Sequence, residues 1–146
     1  MSTTRTGVFD HAVQSANTWV RDVAEAFPTE DRRFAYRVLR AWPHTLRDRL
    51  TVQSTAHFAA QLPELVRGMY YEGWNPSRVP EKYDRDVYVD RLAHEANIST
   101  KDVPKAAAAV ASALARHLGA GQLDKVLDQL PAPIRDLLTP QRLESR

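Results

Sequence analysis

Two acidic residues and a histidine recur at every fourth position of one predicted helix. Asp86, Asp90 and His94 therefore share a helix face. Carboxylates and imidazoles are ligands for Zn²⁺ or Mn²⁺, and helical bundles do build such sites. The face lies opposite Tyr88 and Leu92, however, and no second helix offers further ligands toward it. An exposed polar surface is therefore the preferred interpretation, and a metal site is the alternative.

A line of basic residues follows the second predicted helix. At about 100° per residue, it occupies the side opposite the apolar positions and comprises Arg33, Arg37, Arg40, His44 and Arg47. Such a line could meet an acidic protein partner or the phosphates of a nucleic acid. Runs of charge are more often solvated surface, so a solvated face is the preferred interpretation. The two binding interpretations stay open.

A cluster of aromatic residues follows the fourth predicted helix. Tyr70 corresponds to an apolar residue in the repeat described below, so it is expected in the core. Tyr71 and Trp74 have no such role, and Tyr and Trp are frequent anchors of protein interfaces. The alternative, which is the preferred interpretation, is that Trp74 folds back over the seam between the repeats and holds the connector, because large aromatic side chains are usually well buried.

Composition argues against several classes of function. The 146 residues include no cysteine, so disulfides and thiolate metal sites are excluded. The sequence contains no phosphate-binding glycine loop and no HExxH motif, and no catalytic residue is predicted. Net charge is only +2, from 20 basic and 18 acidic residues. No apolar run approaches the roughly 20 residues of a membrane span, and no secretory signal is recognisable. A cytoplasmic protein without a cofactor is expected.

The chain contains one sequence pattern twice. The segment 56–71 is repeated 68 residues downstream in 124–138, so that Gln61-Leu62-Pro63 matches Gln129-Leu130-Pro131. Further upstream the offset is 69, where Trp19-Val20 matches Tyr88-Val89. The basic line has no full counterpart, because its equivalents are Lys101, Lys105, Ala108, Ser112 and Ala115. Two copies of one helical unit are therefore predicted, with only the first carrying the continuous basic line.

Apolar spacing and capping residues predict the helices. In the first helix Phe9, Val13, Ala16, Val20, Val23 and Phe27 step by three or four residues, so they share one face. Thr29, Thr51 and Ser99 are the predicted N-caps of later helices. Pro43 lies inside the second helix and lacks an amide hydrogen, so a kink or a break is expected there. The predicted helices are 8–26, 30–49, 52–61, 63–72, 84–96 and 100–118, followed by two short ones.

A distinctive stretch also resembles a known family. It comprises Tyr-Tyr-Glu-Gly-Trp at 70–74 with Pro76 and Pro80 after it and Ala-Ala-Gln-Leu-Pro at 59–63 before it. It is similar to the uncharacterised bacterial family catalogued as domain of unknown function 2267, over roughly residues 9–138. The resemblance implies a small all-helical protein and supplies no catalytic residues. Pro43 departs from the expected pattern and puts the shape of the second helix in question.

The sequence thus predicts an all-α domain of two tandem four-helix repeats. Repeat one is 8–72, the connector is 73–83, repeat two is 84–138, and residues 1–7 and 139–146 are expected to be disordered tails. The expected function is a non-enzymatic, cytoplasmic protein-binding or scaffold module. The candidate partner-binding residues are Tyr71, Trp74, Arg33, Arg37, Arg40 and Arg47. The alternatives are a nucleic-acid-associated protein and a small-molecule binder or enzyme in the cleft between repeats. The oligomeric state is left open.

Overall fold

Helices account for all the regular secondary structure in the described part of the chain. The computed structural model describes residues 7–119 and 121–139, and no β-strand occurs within them. This confirms the predicted all-α class. The helices are α1 (Gly7–Ala26), α2 (Arg32–Arg47), α3 (Val52–Ala59), α4 (Glu64–Tyr71), α5 (Arg85–Ala96), α6 (Val103–His117), α7 (Gln122–Leu127) and α8 (Ala132–Leu138), with a short 3-10 helix (Thr100–Asp102) before α6. No helix in these two ranges is both long and apolar enough to cross a membrane.

Side-chain caps set the starts of α2, α3, α5 and the 3-10 helix. The side chains of Thr51 and Ser99 accept backbone N–H bonds as predicted, and Asp84 caps α5 in the same way. The predicted cap Thr29 was wrong. Asp31 caps α2 by accepting from the Phe34 amide, while the Thr29 hydroxyl oxygen accepts from the Asp31 amide. An aspartate is an equally good cap, and choosing it shortens the helix by two residues.

Pro43 does not break helix α2, which runs through it from Arg32 to Arg47. Of the expected kink or break, the break was therefore wrong, and the kink stays a prediction. A proline inside a helix costs about 3 kcal/mol through the lost hydrogen bond and steric strain. The residues around Pro43 offset that cost, because Trp42 and Leu46 are both fully buried and large apolar side chains each contribute about 1.5–3 kcal/mol on burial.

The two Gln-Leu-Pro corners have the same local geometry. In the first, the Leu62 amide donates to the Ala59 carbonyl at 3.0 Å, and in the second the Leu130 amide donates to the Leu127 carbonyl at 3.0 Å. Pro63 and Pro131 follow with φ/ψ of −62°/158° and −58°/147°. Leu62 and Leu130 are buried at 3% and 4% exposure. Each corner therefore places a leucine in the core at the start of a short helix.

Helix contacts also occur in matching pairs. Helix α2 packs against α5 and α4, while α6 packs against α1 and α8, and α2 and α6 touch each other. A small surface pocket between α3 and α7 is lined by four pairs of residues separated by 68 positions. They are Ser54 and Gln122, His57 and Lys125, Phe58 and Val126, and Gln61 and Gln129. Two copies facing each other across an approximate two-fold axis would give this arrangement. The predicted helix-by-helix superposition remains a prediction.

Helix α1 is longer than its counterpart α5. At the offset of 69, Arg85 at the start of α5 corresponds to Ala16, so residues 7–15 have no equivalent in α5. We call residues 7–15 the N-terminal arm. The predicted apolar face continues onto the arm, but Phe9 and Val13 are 70% and 51% exposed because no other helix covers them.

The two predicted tails fall largely outside the described residues. Of residues 1–7 only Gly7 is described, and it already belongs to α1. Of residues 139–146 only Thr139 is described, and it is the C-cap of α8.

Candidate functional site

Four residues of the basic line on α2 form hydrogen bonds or ion pairs with other parts of the protein. The Arg37 side chain donates to the Ala96 carbonyl at the end of α5 at 2.8 Å. Arg40 forms ion pairs with Glu72 at 3.1 Å and with Glu95 at 2.9 Å. The first bond joins the two halves of the chain, and the two ion pairs link α2 to the end of α4 and to α5.

His44 is the most enclosed polar group of this network. Its side chain is 6% exposed, with Nδ1 at 2.5 Å from the Glu95 carboxylate and Nε2 at 2.6 Å from the Met69 carbonyl oxygen. A carbonyl oxygen can only accept, so Nε2 carries a hydrogen and donates it. Nδ1 lies within hydrogen-bond distance of the Glu95 carboxylate. His44 thus bridges α4 and α5.

Arg47 is buried as well. Its side chain is 6% exposed, and Nη1 donates to the carbonyl oxygens of Tyr70 and Glu72, both at 2.6 Å. Its Nε also donates to Asp48 at 3.0 Å. Gly73 follows with a φ of +75°, a conformation that lets the chain turn at the end of α4. Arg47 therefore caps the C-terminal carbonyls of α4, a position that favours a cation.

The expectation of a solvated basic face was wrong for most of the line. Arg33 is exposed, whereas Arg40 is partly buried and His44 and Arg47 are buried. Helical periodicity places these residues opposite the apolar face of α2 but says nothing of the connector and of α5, which cover that side. Their candidate role in binding a partner stays a prediction, and such a partner would have to displace intramolecular bonds.

Tyr71 and Trp74 lie against the body of the protein. Both are partly buried, and their rings are 5.2 Å apart between centroids. Tyr71 also contacts the core residue Tyr70, with 5.4 Å between ring centroids. The indole nitrogen of Trp74 is buried, and the described residues place no hydrogen-bond acceptor on it. This geometry fits the alternative that Trp74 holds the connector, and a binding role for the pair remains a prediction.

The metal interpretation finds no support in the geometry. Asp86, Asp90 and His94 are all exposed on α5. Within residues 7–119 and 121–139, no group of three or more His, Asp or Glu side chains could hold a metal ion. Residues four apart on a helix surface project in parallel, and no neighbouring helix adds ligands to complete a coordination shell.

An apolar groove lies between α1, α2 and α4. Its volume is 290 Å³, and its lining contains no charged side chain. Tyr36 and Leu65 on its walls are 44% and 48% exposed. The lining residues are Ala16, Asn17, Val20, Tyr36, Leu39, Leu65, Val66 and Met69. Exposed apolar surface of this kind is typical of an interaction site.

The sequence contained two signals for this groove. Tyr36 and Leu65 are large residues outside the core-facing positions, and their counterparts at the offset of 68 are Pro104 and Pro133. The arm, with Phe9 and Val13, is the part of α1 without a counterpart. Comparing the two repeats position by position would have identified both, but only the known packing of α1 against α4 joins them into one surface.

Two other surface pockets lie between the repeats. One, of 180 Å³, is lined by Glu25 and Ala26 of α1 and by Ser112, Ala113 and Arg116 of α6. The pocket between α3 and α7 has a volume of only 20 Å³, about the space for one water molecule. The cleft between repeats, considered from the sequence as a site for a small molecule, is thus small at both places.

Fold and surfaces together define a small all-α protein whose described residues form an apolar groove beside the exposed start of α1. A family model described as “Uncharacterized conserved protein (DUF2267)” matches residues 16–137. The chain belongs to this family, which confirms the resemblance found in the sequence. A search of the curated proteins finds no match to the chain.

Proposed function

We propose that this protein is a non-enzymatic, cytoplasmic protein-binding or scaffold module, and that its groove between α1, α2 and α4 binds an apolar helix face. The observation that carries the proposal is the clustering of exposed apolar side chains. Seven large ones are exposed in the described residues. Five lie on the arm or on the groove walls: Val8, Phe9, Val13, Tyr36 and Leu65.

The form of the groove suits a helix. Helix-binding grooves accept apolar side chains at positions i, i+3 or i+4, and i+7 of an amphipathic partner. Here one wall is the exposed apolar edge of α1, and the other is formed by Leu65 and Met69 of α4, with Tyr36 at the side. Because no charged group lines the groove, a bound apolar face would not bury an unpaired charge.

The other functions receive less support from the geometry. Phosphate binding needs cations that are free to contact phosphates, whereas Arg37, Arg40 and Arg47 donate to acceptors of the protein itself. A small-molecule site usually has a few convergent polar groups in a pocket of about 300–1,000 Å³. The groove offers only Asn17 and Tyr36 as polar residues.

Selection from a display library of amphipathic helical peptides tests the proposal. Peptides retained by the wild-type protein should lose at least tenfold in affinity for Leu65→Asp, because the substitution places a charge in the groove wall. Val52→Asp is the matched control, since Val52 is 45% exposed and lies on α3, away from the groove. Equal binding by all three proteins, or no peptide retained, would contradict the proposal.

A further inference from the structure

We propose that the occupant of the groove is the N-terminal arm of a second copy of this chain, so that the protein forms a two-fold symmetric dimer with reciprocal arm-in-groove contacts. The inference rests on the proposed function of the groove as a helix-binding site. It adds the identity of the bound helix, which the chain itself supplies.

The arm cannot cover its own groove. Helix α1 is continuous from Gly7 to Ala26, and the arm is its first two and a half turns. Folding the arm back would require breaking that helix. Phe9 and Val13, at 70% and 51% exposure, therefore need a covering surface that no described residue of the same chain supplies. The groove beside them has the same requirement.

Arm and groove are arranged so that one symmetry operation satisfies both. Phe9, Val13, Ala16 and Val20 share one face of α1, and Ala16 and Val20 line the groove. Phe9 lies roughly 14 Å along the helix from the middle of the groove, at 1.5 Å per residue. A two-fold axis crossing α1 near Val13 sets two α1 helices antiparallel. It places each Phe9 over the other copy's groove, as an isologous interface requires.

Size and chemistry favour a second copy over a single peptide segment. A stable interface buries about 800 Å² on each partner. In the reciprocal arrangement each copy buries its arm and its groove together, so four of the seven exposed large apolar side chains, Phe9, Val13, Tyr36 and Leu65, are covered at once. The groove lining is uncharged, and the side chain that enters it, Phe9, is apolar, while Val13 meets Val13 of the other copy at the axis.

The arm precedes the part of the chain that the family model matches. The match begins at Ala16, so the groove lies within it and the arm lies outside it. Self-association through the arm is thus a property inferred for this chain and is not implied by its family membership.

Sedimentation velocity of the full chain over a wide concentration range tests the inference. The wild type and the control Val52→Asp should both dimerise. Phe9→Asp in the arm and Leu65→Asp in the groove should each raise the dimer dissociation constant at least tenfold. Both sites are exposed in the monomer, so circular dichroism should report an unchanged fold. Tyr36→Ala is a milder groove variant in case Leu65→Asp disturbs α4, and it should weaken the dimer in the same direction.

Mixing the two variants distinguishes this geometry from other dimers. The Leu65→Asp protein keeps an intact arm and the Phe9→Asp protein keeps an intact groove, so an equimolar mixture should form a heterodimer with one complete contact. Its affinity should lie between those of the wild type and of either variant. A wild type that stays monomeric, variants that dimerise normally, or a mixture without recovery would each overturn the inference. A monomer whose groove still retains helical peptides would leave the proposed function standing, whereas loss of both would remove both.

Discussion

Helices α2 and α6 correspond to each other in the repeated sequence pattern, yet different interactions surround them. Around α2, charged side chains bridge to α4 and α5, with Glu95 accepting from Arg40 at 2.9 Å and lying 2.5 Å from His44. Around α6 the corresponding positions are small. At the offsets of 68 and 69, Ala108, Ser112 and Ala26 replace Arg40, His44 and Glu95. Two of these three, Ala26 and Ser112, line the open 180 Å³ pocket.

The contacts between α1 and α6 involve aromatic and charged side chains. Trp19 stacks on His117 with ring centroids 4.7 Å apart, and His117 Nε2 is 2.5 Å from the Asp22 carboxylate. Lys105 lies 4.7 Å from the centre of the Phe27 ring. In the sequence pattern Lys105 corresponds to Arg37 and Phe27 corresponds to Ala96, and these two counterparts are joined by a hydrogen bond. Lys105 of the second half thus contacts the end of α1, and Arg37 of the first half contacts the end of α5.

The connector explains much of the difference. After α4 the chain returns to α5 across the C-terminal end of α2, where the Glu81 amide donates to the Asp48 carbonyl at 2.7 Å and the Tyr83 hydroxyl donates to the Thr45 carbonyl at 2.7 Å. No described segment follows α8 to cover α6 in the same way. Charged residues are thus tolerated on α2 because the C-terminal ends of α4 and α5 supply their acceptors, while the connector packs across the end of α2. The same arrangement of apolar residues can thus be combined with two different sets of polar contacts.

The corners should be where the two halves behave alike. Leu62→Ala and Leu130→Ala should each lower the free energy of unfolding by roughly 2–5 kcal/mol, the usual range for truncating a buried leucine. Chemical denaturation measures both, and Val52→Ala is the exposed control, away from the groove, with an expected change within about 0.5 kcal/mol. Values that differ widely between the two corners would show that the repeats do not share this packing.

Arg47 should show the largest difference between the halves. Arg47→Ala leaves the Tyr70 and Glu72 carbonyls without their donor. It should cost about 3 kcal/mol, where the ranges for charged hydrogen bonds and for broken buried ion pairs meet. The control Arg33→Ala removes an exposed arginine from the same helix and should change stability by less than about 0.5 kcal/mol. Equal denaturation midpoints for the two variants would show that Arg47 is dispensable.

Alkaline pH should act mainly through the first repeat and α5. Burial raises the pKa of the Tyr70, Tyr83 and Tyr88 hydroxyls. The folded state therefore keeps these protons when the unfolded chain, with a tyrosine pKa of about 10, loses them. Their contribution to stability is complete below pH 10 and is lost as the pH rises above it, by up to about 1.4 kcal/mol per pH unit for each tyrosine.

Denaturation of two variants between about pH 8 and pH 12 tests this assignment. Tyr88→Phe should reduce the alkaline loss of stability, because one raised group is gone. Trp19→Phe alters the corresponding position of α1, which cannot ionise, and should keep the pH dependence of the wild type even though the protein is less stable. The same slope in the wild type and in Tyr88→Phe would place the pH dependence elsewhere.

Sequence reasoning predicted the helices but did not predict which segments pack against one another. Apolar spacing, caps and the Gln-Leu-Pro corners are local signals, and they predicted the helices closely. Burial of His44 and Arg47 depends on how the ends of α4 and α5 pack against α2, which no periodicity encodes. The groove likewise depends on α1 packing beside α4, a contact between residues some 50 positions apart in the chain. Exposure of Phe9 follows from the extra length of α1, which a comparison with α5 could have revealed.

The contact between His44 of α2 and Glu95 of α5 can be reproduced between α6 and α1 by two substitutions. Ala26→Glu and Ser112→His place the equivalents of Glu95 and His44 across the 180 Å³ pocket. If the two halves correspond, the new carboxylate and imidazole should meet, and the pocket is large enough to hold both side chains. Ala26→Glu alone should destabilise slightly, because a carboxylate at a helix C-terminus is unfavourable. Arg116 in the pocket lining reduces that effect.

A double-mutant cycle of the wild type, both single variants and the double variant isolates the new contact. Urea denaturation at about pH 5.5, below the ordinary histidine pKa of about 6.5, keeps the imidazole charged. We expect a favourable coupling of about 0.5–1 kcal/mol, as for a partly exposed ion pair. The coupling should shrink at about pH 8, where the new histidine is neutral. A coupling of zero at both pH values would mean that Ala26 and Ser112 do not face each other as Glu95 and His44 do, and that the two surroundings differ in geometry as well as in residue type.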